Sequence, residues 1–86
     1  DGLSLYVSCE NQEEIDELWN KLSEGGTRET CGWLKDKFGV YWQIAPRIAW
    51  EMVNDPDPDK SRRAMEAIDR MKKIEIDPLV RAYNGL

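Results

Sequence analysis

Residues 31–46 read Cys31-Gly32-Trp33-Leu34-Lys35-Asp36-Lys37-Phe38-Gly39-Val40-Tyr41-Trp42-Gln43-Ile44-Ala45-Pro46. The pattern is that of two short strands joined by a tight turn over residues 36–39, with an acid opening the turn and a glycine closing it. Pro46 stops the second strand, because it has no N–H to give to a ladder. Side chains alternate along a strand, so Val40, Trp42 and Ile44 share one face and Tyr41, Gln43 and Ala45 the other. The first face suits packing against a helix; the second is mixed. Gln43 is the odd residue. An amide inside a Trp- and Ile-rich strand must point into a wet pocket or find a buried partner.

Upstream, Leu3, Leu5, Val7 and Cys9 alternate with Ser4, Tyr6 and Ser8, which predicts a strand with one face on a core. Asn11 then offers a helix N-cap, with Glu14 three positions on as in a capping box. Ile15, Leu18, Trp19 and Leu22 form one apolar helical stripe, and Gly25-Gly26 ends that helix. Residues 27–30 suit a further short strand, and both Cys9 and Cys31 fall in predicted strands.

Downstream, Pro46 is placed to open a helix running to about Asn54. Asp57 and Pro58 then cap and start another, with Ala64, Met65, Ile68 and Met71 as its apolar stripe. On its wet side Arg62, Glu66 and Arg70 are spaced to pair, and the methionines read as core filler. Residues 73–76 alternate like a brief strand. Asp77-Pro78 starts a last short helix carrying Leu79, Val80 and Tyr83, ended by Gly85. The expected fold class is α+β. Residues 1–46 form a βαβββ module and residues 47–86 a helical C-terminal extension packing on it, within a single domain.

An 86-residue chain with 41% hydrophobic residues, four of them tryptophans, and a mean hydropathy of −0.68 is one small domain with a modest core. No apolar run approaches the roughly 20 residues that span a bilayer, so no membrane partner is expected. The net charge of −5, from 12 basic and 17 acidic residues, argues against nucleic acid as a partner. Acid gathers in residues 10–24 and base in residues 60–73, as two solvated helix faces or as complementary surfaces of two modules. Two cysteines without metal-site spacing fit a reducing, cytoplasmic setting.

Chemistry is sparse. With no histidine the chain lacks the commonest general base and transition-metal ligand, and no glycine-rich phosphate loop precedes a helix. The first residue is Asp1, not Met, which suggests a preceding segment and a longer protein.

The strand–helix–three-strand order resembles one module of the vicinal oxygen chelate superfamily, the group of glyoxalases, dioxygenases and bleomycin-resistance proteins. It is most similar to the PhnB-like branch, whose domains often bear the label demethylubiquinone methyltransferase. The resemblance is carried by residues 3–9, Leu18-Trp19, Leu22-Ser23-Glu24-Gly25-Gly26, Cys31-Gly32-Trp33-Leu34-Lys35-Asp36, Gly39, Trp42-Gln43-Ile44 and Pro46. Arg63, Met65, Ala67, Met71-Lys72-Lys73-Ile74 and Leu79 match in the tail.

This likeness implies two paired βαβββ modules around a cavity, with this chain as the C-terminal one. Its counterpart would be a missing N-terminal module or a second copy in a homodimer. In metal-using relatives a glutamate on the strand after the Asp-x-x-Gly turn binds a divalent ion; Gln43 stands there in this chain. Their first-strand histidine has no counterpart in Asp1-Gly2-Leu3-Ser4. No metal and no cofactor are therefore expected from this segment, and a divalent metal would need ligands from another module. Methyl transfer usually rests on a glycine-rich turn in a Rossmann-like sheet, and the chain has none.

The expected function is a binding domain for a small molecule, with Tyr6, Trp33, Tyr41 and Gln43 lining the cavity. The aromatics would stack on a planar ligand and the amide would orient it. Trp19 and Trp42 belong to the core. One alternative is a metal-dependent lyase or dioxygenase with ligands from the other module; another is a purely structural dimerisation module.

Overall fold

In the computed structural model, which describes residues 3–86, β1 (Ser4–Cys9) leads into α1 (Gln12–Ser23). There follow β2 (Thr27–Arg28), β3 (Trp33–Lys35), β4 (Tyr41–Pro46), α2 (Arg47–Val53), α3 (Pro58–Asp69) and α4 (Ile76–Tyr83). The strands make one mixed sheet in the order β1-β4-β3-β2, with β1 parallel to β4 and the other pairs antiparallel. The fold is α+β: a βαβββ module with a helical C-terminal extension.

The turn between β3 and β4 is built around one carboxylate. Asp36 accepts the N–H groups of Phe38 and Val40 at 2.9 and 3.0 Å and the Trp42 indole N–H at 2.9 Å. The Trp42 indole first, then the Val40 N–H, hold the Asp36 carboxyl below the usual carboxylate range.

β4 is buried on both faces, so alternation along it feeds two cores. Ile44 joins Cys9, Ile15, Trp19 and Leu34, with Val7, Leu18, Leu22 and Trp42 packed around them. Ala45 joins Ala49, Met52, Ala64, Ala67, Ile74 and Leu79 between the sheet and the extension. Each fully buried Leu or Ile stabilises the fold by roughly 1.5–3 kcal/mol. The α1 stripe is as the spacing predicts, and Asn11 caps the helix by accepting from the Glu14 N–H at 2.9 Å. The Glu14 carboxylate reaches back to the N–H of Glu10, one residue before the cap, at 2.6 Å. α3 starts as expected, with the Asp57 carboxylate accepting the N–H groups of Asp59 and Lys60 and Pro58 in the first turn.

Several local expectations are corrected. Leu3 and Leu5 are exposed, because β1 is an outer strand and the α1 core reaches only Val7 and Cys9. Residues 27–30 supply only the two-residue β2, and Cys31 lies in a turn with a left-handed φ of 60°. α2 begins at Arg47, with Pro46 as its cap and the end of β4, and α4 begins at Ile76. On α3, Glu66 meets Arg62 at 4.0 Å instead of Arg70, and Met65 is exposed instead of filling the core.

The brief strand expected at 73–76 is absent: Gln12 occupies the place of a strand neighbour. Its side-chain amide donates to the Ile74 carbonyl at 3.1 Å and accepts the Ile76 N–H at 2.7 Å. Both backbone groups are thereby satisfied without a ladder. Beside them Lys73 pairs with Asp16 at 2.8 Å. The Gln12 hydrogen bond, then the one from Lys73, hold the Asp16 carboxyl low.

Gly32 joins the extension to the sheet. The N–H groups of Cys31 and Gly32 donate to the carbonyls of Met71 and Lys72, both at 2.7 Å, and Ile44 donates to the Gly32 carbonyl at 2.8 Å. Gly32 has φ 80°, and a Cβ there would lie 2.6 Å from the Ile44 carbonyl oxygen and 2.9 Å from Ile74 Cδ1. Gly32→Ala is therefore expected to destabilise the fold by about 2–3 kcal/mol, from left-handed strain plus displaced backbone. Urea denaturation measures this, and an unchanged midpoint would refute the close approach.

Candidate functional site

The alternation that buries Ala45 leaves Gln43 two residues earlier on the same face, beyond full cover by the helices. A cleft of about 380 Å³ opens there between the sheet and the extension. Tyr6 and Gln43 contribute from β1 and β4, Trp50 from α2, and Met65 and Asp69 from α3. The volume lies within the roughly 300–1,000 Å³ usual for small-molecule sites. Its rim is aromatic and apolar yet wet, with Trp50 69% exposed, Tyr6 53% and Met65 46%.

All four residues singled out in the sequence share this sheet face. Tyr6 stands opposite Gln43 across the β1–β4 pair, and Trp33 stands opposite Gln43 across β3–β4. Only Tyr6 and Gln43 line the cleft. Trp33 and Tyr41 are half-buried outside it, and Tyr41 packs under the Lys35 ammonium at 5.6 Å from the ring centroid. Tyr41 lies two residues before Gln43 on β4, away from the Ala45 end where the helices pack, and Trp33 lies on β3, across Gln43 from Tyr6.

Trp50, Met65 and Asp69 were not signalled as lining residues. One hint was available. Trp50 falls outside the stripe that buries Ala49 and Met52 on α2, and a large apolar ring off the core stripe needs another use.

Gln43 resolves its own puzzle by both routes. Its Nε2 donates to the Cys31 carbonyl at 3.0 Å while the side chain floors the cleft. The amide thus helps hold the left-handed Cys31-Gly32 turn that the extension grips. Burial first, then the neighbouring Cys9, pushes the Tyr6 hydroxyl up, so it stays a neutral donor near neutral pH. Burial also pushes the Cys9 thiol up, and a protonated buried thiol is a poor nucleophile.

Metal ligation does not fit these residues. Among the described residues no group of three His, Cys, Asp or Glu side chains is placed to hold an ion, and Gln43 offers at most one neutral amide oxygen, its Nε2 being bonded to the Cys31 carbonyl. Asp1 and Gly2, in the stretch where metal-using relatives carry their first-strand histidine, lie outside the described residues. A Rossmann-type S-adenosylmethionine site does not fit the β1–α1 turn either, because β1 enters α1 through Glu10 and Asn11, with acidic Glu13 and Glu14 at the helix start and no glycine. No helix among the described residues is long and apolar enough to cross a membrane.

A family model described as 3-demethylubiquinone-9 3-methyltransferase matches residues 1–45, just over half of the 86-residue chain. No curated protein matches it. The matched stretch runs through the module to Ala45, so Tyr6 and Gln43 lie inside it and Trp50, Met65 and Asp69 outside.

The bond from Gln43 to Cys31 makes a mutational prediction. Gln43→Leu removes the donor and is expected to cost about 1 kcal/mol, which lowers the melting temperature by roughly 4–8 °C in a domain of this size. A melting temperature at or above that of the parent would show that the amide serves only the cleft.

Proposed function

Because the chain belongs to the 3-demethylubiquinone-9 3-methyltransferase family, we propose that it is a small-molecule-binding domain of the glyoxalase-like fold, with its ligand in the cleft between sheet and extension. The observation that carries this reading is Trp50, 69% exposed at the mouth of a 380 Å³ cleft that Gln43 floors. An indole left in water at a concave apolar site gains free energy by stacking on a planar ligand. Tyr6 faces it from the sheet, and Gln43 with the Tyr6 hydroxyl supplies the few polar groups that orient a ligand in such sites. In this reading residues 1–46 form the module and residues 47–86 the extension that closes one side of the site. Two free thiols, Cys9 and Cys31, suit a reducing, cytoplasmic setting.

A second reading concerns assembly, and the β1 edge favours it. β1 is an outer strand with unpaired backbone groups, with Leu5 on it 38% exposed and Leu3 just before it 61% exposed. Such an edge is a template for another strand. A second module, from this protein or from a second copy in a homodimer, would pair there and extend the cleft past Tyr6.

Two measurements test these readings. A planar aromatic probe is expected to quench tryptophan emission saturably, and Trp50→Phe to abolish that quenching with the fold intact by circular dichroism. Quenching that is linear in probe, or equal in Trp50→Phe, would sink the binding reading. For assembly, light scattering at micromolar concentration is expected to give about twice the 10.0 kDa chain mass. Leu3→Glu with Leu5→Lys should return it to the monomer; a monomeric parent would refute the homodimer.

A further inference from the structure

Among the residues lining the cleft, Asp69 alone carries a charge. It is the last residue of α3 (Pro58–Asp69), where the helix dipole already presents its negative end and where a carboxylate is disfavoured. No lysine or arginine pairs with it among the described residues, although Arg70 and Lys72 follow closely in sequence. Its one hydrogen-bond partner there is the Cys31 thiol, a weak donor, at 3.6 Å. Elsewhere on α3 the local rules hold: Asp57 caps the start and Arg62 pairs with Asp59 at 3.0 Å. A broken local rule beside an otherwise uncharged cleft is what a binding site leaves behind.

From this juxtaposition the geometry points to a specific ligand class: a planar aromatic cation, such as a quaternised nitrogen heterocycle or an aryl amidinium. Its ring stacks against Trp50 and its positive charge lies toward Asp69. This rests on the cleft being a ligand site and adds the sign of the charge that it selects. The Trp50 indole and Tyr6 phenol present π faces that attract a cation and gain nothing from an anion. The carboxylate and the α3 C-terminus act in the same direction. Gln43, Tyr6 and the apolar walls are neutral, so nothing else in the lining offsets that preference. The chain's net charge of −5 adds a weak long-range pull of the same sign.

The test compares three probes of similar shape at pH 8: N-methylquinolinium, neutral quinoline and naphthalene-1-sulfonate, titrated by amide chemical shifts. The cation is expected to bind about tenfold more tightly than quinoline, and the sulfonate most weakly. Asp69→Asn should remove most of the cation's advantage over quinoline and leave quinoline unchanged; Asp69→Glu should restore it. Asp69→Asn removes a charge that the helix end disfavours, so its melting temperature is expected at or above the parent's, which separates the effect from unfolding. Equal binding of cation and quinoline, or preference for the sulfonate, would overturn the charge inference while leaving the binding reading intact. Binding of none of the three would overturn both.

Discussion

The double burial of β4 is the constraint from which the rest follows. Ile44 faces α1 and Ala45 faces the extension, one residue apart, so a single strand closes two cores on opposite sides of the sheet. The second core is built largely from alanines: Ala45, Ala49, Ala64 and Ala67. Small side chains let helices sit close to a sheet, and close approach leaves little freedom in their placement. A larger residue at position 45 would lift α2 and α3 off the face. It would then change both the stability of the extension and the width of the cleft beside it.

The attachment of the extension is polar as well as apolar. Backbone carbonyls of Met71 and Lys72 receive the N–H groups of Cys31 and Gly32, and the Gln12 amide brackets Ile74 and Ile76 from α1. Farther along, Arg63 on α3 donates to the carbonyls of Ala82 and Tyr83 at the end of α4. The Tyr83 hydroxyl bonds the Asp55 carboxylate, which raises the one group's pKa and lowers the other's. These bonds join segments far apart in sequence. Each satisfies backbone or buried polar groups that would otherwise destabilise the packed state.

That distinction decides how much was legible beforehand. The capped α1, the Asp36 turn and the Asp57-Pro58 helix start are local devices, and residue spacing alone is enough to read them. Gln12 shows the opposite case. Its amide stands in for a strand neighbour 62 residues away, so an alternating run at 73–76 has the right pattern and the wrong partner. Cys31 reads as a strand residue because its left-handed φ is held by Met71 and Gln43, which no neighbouring residue announces. The candidate site divides the same way. Tyr6 and Gln43 were visible because sheet alternation puts them on one face, whereas Trp50 and Asp69 enter only through the placement of α2 and α3. Trp33 and Tyr41 lie on the correct face but outside the cleft, one on β3 and the other two residues before Gln43 on β4.

Gln43 therefore has a meaning different from a lost metal ligand. A carboxylate at this position would offer no donor to the Cys31 carbonyl and would repel it. The left-handed turn would lose one of its supports, and the grip of Met71 and Lys72 on that turn would weaken with it. The amide thus supports the docked extension through the turn. With Gln43 holding the turn, the extension can lie against the sheet and supply Trp50, Met65 and Asp69. With a glutamate there, the face would offer a negative charge and an unsatisfied carbonyl in place of a neutral floor. A neutral floor below a single carboxylate at the rim gives the cleft one defined direction of charge, and it places that charge on α3.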